Sequence, residues 1–538
     1  MNLIDLSDIK DRNLGRILYL QSTVIPDKPC YQVGDRVFTY KETNTIVNRY
    51  AQGLKGLGIE KNDRVVIYMR SCVEFIFMAF AVNKLGAIWV PMNGDYKGTW
   101  LKEGIEDSKG KVLVTDTDKL PRLQEAFGDS MAYGQLVVNV LEGATCPEGA
   151  THLASFDALD DIEENTADIF YGDTCSILWT SGTTGKSKGV LQSHNVWLNA
   201  AESVQRQFGT EEHDVVYNCL PLYNTGAWVT SVYRALTTGI CVALDEMFSA
   251  RHFWERIKFY KATETTTLGA MHMFLWNAEE TPEDADNTLR NANVIPLPPQ
   301  MTQPFMQRFG IKKVQKGYGQ SEACSIMNCL EDGIKEWAPN SLGDVARGIE
   351  LSIFNDEGEE VPPGTPGEFC LKPTKPYVIF NGYFENEAAT QKAYYGEWYR
   401  TGDLGMKDGE GNYYFLDRKS DFIRDKGRNI SSLQVEAAVM QHPDVEAVAC
   451  FGLPSEFIET EVEMKLDIIL KAGSSATEET IARYINDNAP YFFVPRYMEF
   501  VTELPYTPTN KVQKFKLREK GVTPTTWDRT KTDFQLIK

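Results

Sequence analysis

The stretch that decides how this chain is interpreted is Ile177-Leu178-Trp179-Thr180-Ser181-Gly182-Thr183-Thr184-Gly185-Lys186-Ser187-Lys188-Gly189-Val190. Glycines, hydroxyl side chains and lysines are concentrated here between two apolar runs. Glycine lets backbone N–H groups converge on an anion, hydroxyls add donors, and lysine supplies positive charge. The stretch therefore predicts a polyphosphate-binding loop. An ordinary solvated hairpin remains the alternative for a loop of this composition.

The dipeptide Gly185-Lys186 followed by Ser187 invites comparison with the P-loop of nucleotide triphosphatases. That pattern requires glycine five positions before the second glycine, and this chain has Thr180 there. A P-loop also opens a helix, whereas residues 189–191 have the composition of a second strand. The sequence thus predicts a loop between two strands and argues against a P-loop.

Outward from this loop, the chain alternates strand-like and helix-like segments, which is typical of a layered α/β domain. Ser193 is placed to cap a helix that runs to about Phe208. The other predicted segments are strands at 64–69, 87–91, 112–115 and 136–140 and a helix at 74–84.

Beyond about residue 340 the sequence is rich in turn dipeptides between short strand-like runs, which predicts a β-rich subdomain at about 340–419. A charged cluster at 417–421 then precedes a compact α+β pattern. We predict helices at 433–441 and 477–486 and a strand at 445–451. The predicted organisation is one large α/β domain, 1–419, and a small C-terminal domain, 420–538, whose polar tail from about Gly521 is poorly ordered.

The composition of the whole chain supports a large globular protein with more than one domain. It has 538 residues, of which 42% are hydrophobic and 24% charged. Its 55 basic and 75 acidic residues give a formal charge of −20, which argues against nucleic acid as a partner. The longest apolar stretch, 75–92, is broken by polar residues, so we expect no integral membrane segment.

The ten cysteines form no Cys-x-x-Cys pair, and the N-terminus lacks the basic start and apolar run of a signal peptide. We therefore expect reduced thiols and a cytoplasmic location. Oligomeric state, including a homo-oligomer, stays open.

Five motifs in order give the chain its family resemblance. The glycine-rich loop resembles the phosphate-binding motif of the adenylate-forming superfamily, with Trp179 in place of tyrosine and Ser187 in place of proline. The others resemble the superfamily's later motifs and extend the match from about Thr39 to Leu517: they are Tyr318-Gly319-Gln320-Ser321-Glu322, Trp398-Tyr399-Arg400-Thr401-Gly402-Asp403, Asp417-Arg418 and Asn510-Lys511-Val512. Segments 31–93, 252–265 and 427–436 look most like carboxylate–CoA ligases of the crotonobetaine/carnitine–CoA ligase kind.

The resemblance implies an ATP- and Mg²⁺-dependent acyl-CoA synthetase. Such an enzyme joins a small carboxylic acid to AMP, releases pyrophosphate, and then transfers the acyl group to coenzyme A. The residues that would bind the β- and γ-phosphates are Thr180, Ser181, Gly182, Thr183, Thr184 and Lys188. Tyr318 would lie against adenine, Ser321 near the α-phosphate, and Glu322 would bind Mg²⁺.

The same resemblance assigns roles to later residues. Asp403 would accept hydrogen bonds from the ribose hydroxyls, with Arg418 as a second ribose contact, although an Asp–Arg ion pair at a turn is the structural alternative. Lys511 would be brought to the substrate carboxylate and α-phosphate by a mobile C-terminal domain. Ser420 occupies the hinge position, where Asp or Lys is usual, and Gly427 matches the glycine beside the pantetheine channel.

Three departures from the family pattern concern the acyl site. Asn224 replaces a histidine in Pro221-Leu222-Tyr223-Asn224, Asn510 replaces a glycine, and residues 294–298 replace a Gly-Gly-Ala-type segment. Candidate acyl-pocket residues are Tyr223, Asn224, Trp228, Ile295, Gln320 and Ser325. Aromatic residues at 223 and 228 are as often part of a core, but a Trp-lined pocket suits a bulky or cationic acyl group.

Two further functions stay open from sequence. One is an adenylate-forming enzyme with an acceptor other than CoA. The other is a catalytically silent nucleotide-binding homologue, which the substitutions at 224 and 510 motivate.

Overall fold

A computed structural model describes most of the chain. The described residues are 4–128, 135–164, 166–180, 187–269, 271–297, 299–329, 338, 340–419, 421, 423–425, 428–455, 462–506 and 512–537. They form two compact units. The first contains the described residues up to Glu350 together with Lys372–Glu397, and the second contains Leu351–Leu371 and the described residues from Trp398 onward. The predicted domain boundary at residue 420 stays a prediction.

The first unit is built on two seven-stranded sheets, each parallel except for one antiparallel pair at an edge. The strands of the first sheet, in spatial order, are Thr151–His152, Gln135–Asn139, Val112–Asp116, Arg64–Tyr68, Ile88–Pro91, Thr174–Thr180 and Lys188–Ser193. Those of the second are Lys313–Gln315, Asn291–Ile295, Glu264–Leu268, Val215–Asn218, Cys241–Leu244, Pro29–Val33 and Arg36–Thr39. This arrangement confirms the predicted α/β class.

Helices connect most of these strands, since a parallel pair needs a crossover connection and a helix usually provides it. The α-helices of the first unit are Leu14–Val24, Tyr40–Gly56, Val73–Lys84, Gly98–Ser108, Leu120–Phe127, His194–Phe208, Thr225–Ala227, Tyr233–Thr238, Phe253–Tyr260, Met271–Asn277, Pro299–Phe309 and Glu387–Lys392. A three-stranded antiparallel sheet contains Gly317–Tyr318, Met327–Asn328 and Asp344–Val345, and Tyr394–Tyr395 is a further short strand.

The helix Val73–Lys84 shows how the core forms. Every residue in it except Glu74 is buried, and an apolar surface on all sides is what a fully enclosed helix requires. Its side chains share one core with residues from both sheets, among them Trp89 and Val242. The helix predicted at 74–84 and the strand predicted at 87–91 are therefore confirmed.

The helix after the glycine-rich loop also forms as predicted. It spans His194–Phe208, and the Ser193 hydroxyl accepts a hydrogen bond from the Val196 N–H at 3.2 Å. Gly209 ends it with φ +56°, a left-handed conformation that glycine adopts at low cost. Local capping thus fixes the direction of the helix that follows the loop's second strand.

The second unit contains a mainly antiparallel sheet and a small α+β layer. The sheet strands include Ile349–Phe354, Gly367–Pro373, Trp398–Lys407 and Tyr413–Arg418. The α+β layer has the strands Val445–Pro454, Val462–Leu470, Tyr497–Phe500 and Trp527–Asp528, the hairpin strands Ile423–Asp425 and Arg428–Ile430, and the helices Ser432–Val439, Glu478–Asn488 and Lys514–Lys520. These elements match the predicted β-rich subdomain and compact C-terminal pattern.

The C-terminal tail corrects one prediction. Residues after Gly521 were expected to be poorly ordered, but Trp527–Asp528 pairs with Tyr497–Phe500, and Phe534 packs in the core of this unit. Sequence polarity concealed this because only a few apolar side chains anchor the segment. Among the described helices, none has the length and apolar character needed to cross a membrane.

We expect two buried histidines to lower stability in acid. Burial lowers the pKa of His194 to about 4, and burial lowers the pKa of His272 to about 4. An unfolded chain binds these protons from about pH 6.5 downward, so stability is present above pH 6.5 and falls as the pH decreases towards 4. Each of the two histidines should lower the free energy of unfolding by about 3 kcal/mol as the pH falls from 6.5 to 4.

His194→Gln tests this expectation. In urea titrations between pH 4.5 and 7, the variant's unfolding free energy should depend less on pH than the wild type's, by about 1.4 kcal/mol per pH unit. The control is His252→Gln, since the side chain of His252 is 54% exposed. Parallel pH curves for His194→Gln and wild type would contradict the assignment.

Candidate active site

The glycine-rich loop leaves and re-enters the first sheet through an antiparallel strand pair. Thr180 and Lys188 lie opposite each other at its open end, and the Thr180 hydroxyl donates to the Lys188 carbonyl at 3.3 Å. This strand–loop–strand connection confirms the sequence interpretation and differs from a P-loop. Four of the predicted phosphate-binding residues lie outside the described residues: Ser181, Gly182, Thr183 and Thr184.

The predicted adenine and metal motif forms a tight turn after the strand Gly317–Tyr318. A side chain at Gly319 would place Cβ 2.3 Å from the Cys324 carbonyl oxygen, so only glycine fits there. The Gln192 side-chain amide donates to the Ser321 carbonyl. Because Gln192 belongs to the strand Lys188–Ser193, the turn is attached directly to the phosphate-loop strand.

Glu322 is held by two hydrogen bonds from another part of the first unit. Its carbonyl accepts the Phe380 N–H at 2.7 Å, and its carboxylate Oε1 accepts the Tyr383 hydroxyl at 2.9 Å. A single fixed carboxylate fits Mg²⁺, which is usually bound by one or two carboxylates together with substrate phosphates and water. The described ranges contain no cluster of three or more His, Cys, Asp or Glu suited to a metal ion.

Tyr383 also contacts Lys188, whose ammonium lies 4.8 Å from the centre of the tyrosine ring. One residue therefore contacts both a predicted phosphate-binding lysine and the predicted metal-binding glutamate. Tyr383 was not among the residues predicted from sequence. The sequence feature near it is a helix cap: the Asn386 side chain accepts the Ala389 N–H at the start of the helix Glu387–Lys392. Such a cap predicts local structure and gives no indication of a functional residue at position 383.

Two of the predicted acyl-pocket residues, Tyr223 and Asn224, directly precede a short helix, Thr225–Ala227. Tyr223 is half-buried, and burial, with Asp95 and Tyr96 nearby, raises the pKa of its hydroxyl well above the usual value. Asn224 precedes the helix in an extended conformation and is also half-buried. Neither is part of the closed core, so both keep partial access to solvent.

Trp228 differs from its predicted role. Its side chain is fully buried, its indole N–H donates to the Leu222 carbonyl at 2.6 Å, and its ring lies 4.4 Å from that of Trp89. A tryptophan packed on all sides has no open face for a substrate cation. Trp228 therefore supports the core behind the Tyr223–Asn224 segment, and the predicted cation–π contact with an acyl group is not supported.

The remaining candidates lie near strand ends of the first unit. Ile295 is half-buried at the end of Asn291–Ile295, and its carbonyl accepts the Gly269 N–H at 2.9 Å. The Gln320 amide donates to the Tyr318 hydroxyl at 3.3 Å. Ser325 is buried, and its hydroxyl accepts from the Asn328 amide at 2.6 Å. Gln320 and Ser325 thus belong to the turn that carries Tyr318.

In the second unit, the two predicted ribose contacts are direct neighbours. Asp403 and Arg418 lie opposite each other on the antiparallel strands Trp398–Lys407 and Tyr413–Arg418. Asp403 is half-buried, whereas Arg418 is exposed. This pairing brings together residues 15 positions apart in sequence. Lys511, Ser420 and Gly427 lie outside the described residues.

Two family models match the chain. The model described as AMP-binding enzyme matches residues 20–384, and the model described as AMP-binding enzyme C-terminal domain matches residues 434–511. Among curated proteins, the crotonobetaine/carnitine–CoA ligase of Salmonella heidelberg (strain SL476) is 30% identical over 493 residues, covering 90% of this chain and 93% of the relative. That of Salmonella arizonae is 31% identical over 491 residues, covering 89% and 93%.

Solved structures show the same fold. The anthranilate CoA ligase AuaEII, solved with anthranoyl-AMP, superposes with a TM-score of 0.83 at 25% identity, covering 94% of this chain and 97% of that chain. ATP-bound MatB from Rhodopseudomonas palustris superposes with a TM-score of 0.81 at 22% identity, covering 95% and 98%. The likeness extends over nearly the whole length of each protein.

Proposed function

Because this chain belongs to the AMP-binding enzyme family and is an ATP-dependent, AMP-forming carboxylate–CoA ligase, we propose that the residues described above perform its two half-reactions. In the first, a carboxylate oxygen bonds to the α-phosphorus of ATP while the bond to the β-phosphate oxygen breaks and pyrophosphate leaves. In the second, the CoA sulfur bonds to the acyl carbon while the bond from that carbon to the phosphate oxygen of AMP breaks, AMP leaves, and the thiol proton passes to solvent.

Lys188 and Thr180 bind the leaving phosphates in this proposal. Both stand at the open end of a strand pair that is fixed by backbone hydrogen bonds, so the lysine charge is presented beside the glycine-rich loop. A preorganised cation stabilises charge that accumulates on the leaving pyrophosphate. The observation that carries the proposal is the placement of Lys188 and Glu322 around the single side chain of Tyr383.

Glu322 would hold Mg²⁺, which, when bound, neutralises phosphate charge. The hydrogen bond from Tyr383 orients the glutamate carboxylate. Tyr318 packs against adenine, and Ser321 approaches the α-phosphate. Fixing these groups on one turn limits the reorganisation needed when the nucleotide binds.

Asp403 and Arg418 bind ribose, since adjacent strands present an acceptor and a donor together. Lys511 acts in the first half-reaction, Ser420 is the hinge, and Gly427 borders the path of the CoA pantetheine. The C-terminal domain begins at residue 420. These four assignments rest on the family motifs.

Tyr223, Asn224, Ile295, Gln320 and Ser325 form the acyl site in this proposal. The curated relatives named above are ligases of crotonobetaine and carnitine. We therefore propose acids of this betaine type as the first to test. Short, medium-length, aromatic and steroid acids complete the set.

A panel of these acids tests the function. We expect one acid class to release pyrophosphate, and AMP and acyl-CoA to form in amounts equal to that pyrophosphate only when CoA is present. The measurements are coupled pyrophosphate release and chromatography of AMP and thioester. Adenylate formation without CoA turnover would support a non-CoA acceptor, and absence of pyrophosphate release with every acid would support a silent nucleotide-binding homologue.

We also propose a cytoplasmic location. All ten cysteines are free, and six of them are buried. Ten free thiols in one chain are typical of a reducing compartment, because oxidising compartments favour disulfides. Fractionation of the expressing cell tests this assignment.

A further inference from the structure

Tyr383 lies on a short segment that is paired with the second strand of the phosphate loop. The Asn381 N–H donates to the Leu191 carbonyl at 2.8 Å, and the Leu191 N–H donates to the Gly382 carbonyl at 3.0 Å. The Phe384 N–H donates to the Gly189 carbonyl at 2.7 Å. The Tyr383 N–H donates to the Thr390 hydroxyl at 2.9 Å. The backbone that carries Tyr383 is therefore fixed to the strand that carries Lys188.

The ring and the hydroxyl of Tyr383 each contact a different predicted site residue. Its ring faces the Lys188 ammonium at 4.8 Å, and its hydroxyl donates to the Glu322 carboxylate at 2.9 Å. Lys188, Glu322 and Tyr383 come from three separate parts of the sequence, and all belong to the first unit. Only 7% of Tyr383 is exposed, so little solvent competes for either contact.

A purely structural role for Tyr383 would need the ring alone. The ring does pack against Phe380 at 5.0 Å. Such packing does not require a hydroxyl directed at a carboxylate, because phenylalanine would fill the same space. The hydroxyl therefore points to a task beyond core packing.

We propose that Tyr383 is a positioning residue that sets the separation and orientation of Lys188 and Glu322 for binding of an ATP–Mg²⁺ complex. This inference rests on the proposed function of those two residues. The hydroxyl orients the carboxylate for a divalent cation, and the ring limits the directions that the Lys188 ammonium can take. The two parts of the side chain have separate effects, which permits separate tests.

Tyr383→Phe removes the hydroxyl and retains the ring. We expect the Mg²⁺ concentration for half-maximal binding of a non-hydrolysable ATP analogue to rise about tenfold, since a hydrogen bond to a charged group is lost. Binding of the analogue without Mg²⁺ should not change. Tyr383→Leu also removes the ring and should weaken Mg²⁺-free binding about threefold, through loss of the cation–π contact. Isothermal titration calorimetry at several Mg²⁺ concentrations measures both effects.

The matched control is Tyr377→Phe, the same change in the same segment at a side chain that contacts Phe170 and Tyr171 instead. Thermal unfolding of each variant checks folding. The KM for ATP–Mg²⁺ should rise in Tyr383→Phe with a smaller change in kcat. If Tyr383→Phe and Tyr377→Phe bind the analogue alike at every Mg²⁺ concentration, the proposal is wrong.

The test separates failure of this inference from failure of the proposed function. If the wild type releases pyrophosphate and Tyr383→Phe binds the analogue with the same Mg²⁺ dependence as the wild type, only the role of Tyr383 is rejected. A wild-type protein that binds the analogue with the expected Mg²⁺ dependence but processes no acid retains the inference and rejects the ligase reaction. Absence of analogue binding by wild type rejects both.

Discussion

Lys511→Ala is expected to slow acyl-adenylate formation about a thousand-fold, because a positively charged group that stabilises developing charge in the transition state is lost. Transfer of the acyl group from a supplied acyl-adenylate to CoA should stay within a few-fold of the wild-type rate. The asymmetry follows from the proposed role of Lys511, which acts on the carboxylate and α-phosphate only while they react with each other. The second half-reaction forms a different bond.

The described residues that flank Lys511 are well anchored within the second unit. Tyr506 and Val512 form an antiparallel bridge, and the buried Lys514 donates to the Ser432 hydroxyl at 2.6 Å and pairs with Glu436 at 2.8 Å. Arg518 pairs with Asp421 at 2.7 Å. Removing one side chain between these anchors should leave the unit folded, so the loss of activity reports on chemistry.

Single-turnover measurements of each half-reaction decide the point. Pyrophosphate release reports the first, and thioester formation from synthetic acyl-adenylate reports the second. Lys516→Ala is the matched control, since Lys516 is an exposed lysine on the helix Lys514–Lys520. Equal losses in both half-reactions for Lys511→Ala would contradict its assignment.

Local chemistry made much of the fold predictable. The Ser193 cap, the apolar helix Val73–Lys84 and the strand pair around the glycine-rich loop depend on residues close together in sequence, and each is confirmed. Element ends differed by a few residues because tertiary pairing extends strands: the strand predicted at 445–451 continues to Pro454 through its pairing with Val462–Leu470.

Long-range packing was less accessible from sequence. Trp228 was a candidate acyl-pocket residue, but its partners Trp89 and Tyr233 lie on other elements and place it in the core. Tyr383 could not be identified from sequence because its partners are distant along the chain. Its significance comes from Lys188 and Glu322, which lie 195 and 61 residues away in sequence, and no local pattern marks it.

A buried charge network supports the sheet that carries Ile295. Arg234 is fully buried on the helix Tyr233–Thr238, and its guanidinium contacts Glu264 of the strand Glu264–Leu268. Arg290 contacts the other carboxylate oxygen of Glu264 at 2.8 Å. Burial raises the pKa of Glu264 to about 7 even with these two cations beside it. The Arg234 side chain also lies 4.2 Å from the centre of the Phe208 ring.

Arg234→Met is expected to lower the free energy of unfolding by about 3–5 kcal/mol, because it leaves a buried carboxylate without its main partner. The size of the loss should depend on pH. A carboxylate whose pKa is raised on folding stabilises the fold below its unfolded pKa and loses that contribution as the pH rises through its folded pKa. Removing Arg234 raises the pKa of Glu264 further, so the difference between variant and wild type should widen above pH 7, by up to about 1.4 kcal/mol per pH unit.

Urea unfolding at pH 6, 7 and 8 measures this dependence. Arg234→Met/Glu264→Gln removes both charges and should regain part of the lost stability. The widening of the difference from wild type above pH 7 should disappear in this double variant, since no carboxylate then remains at position 264. Arg251→Met, at an exposed arginine, should change stability by less than about 0.5 kcal/mol. A loss in Arg234→Met that is the same at all three pH values would show that packing against Phe208 dominates, and that the Glu264 charge does not set the requirement for arginine at this position.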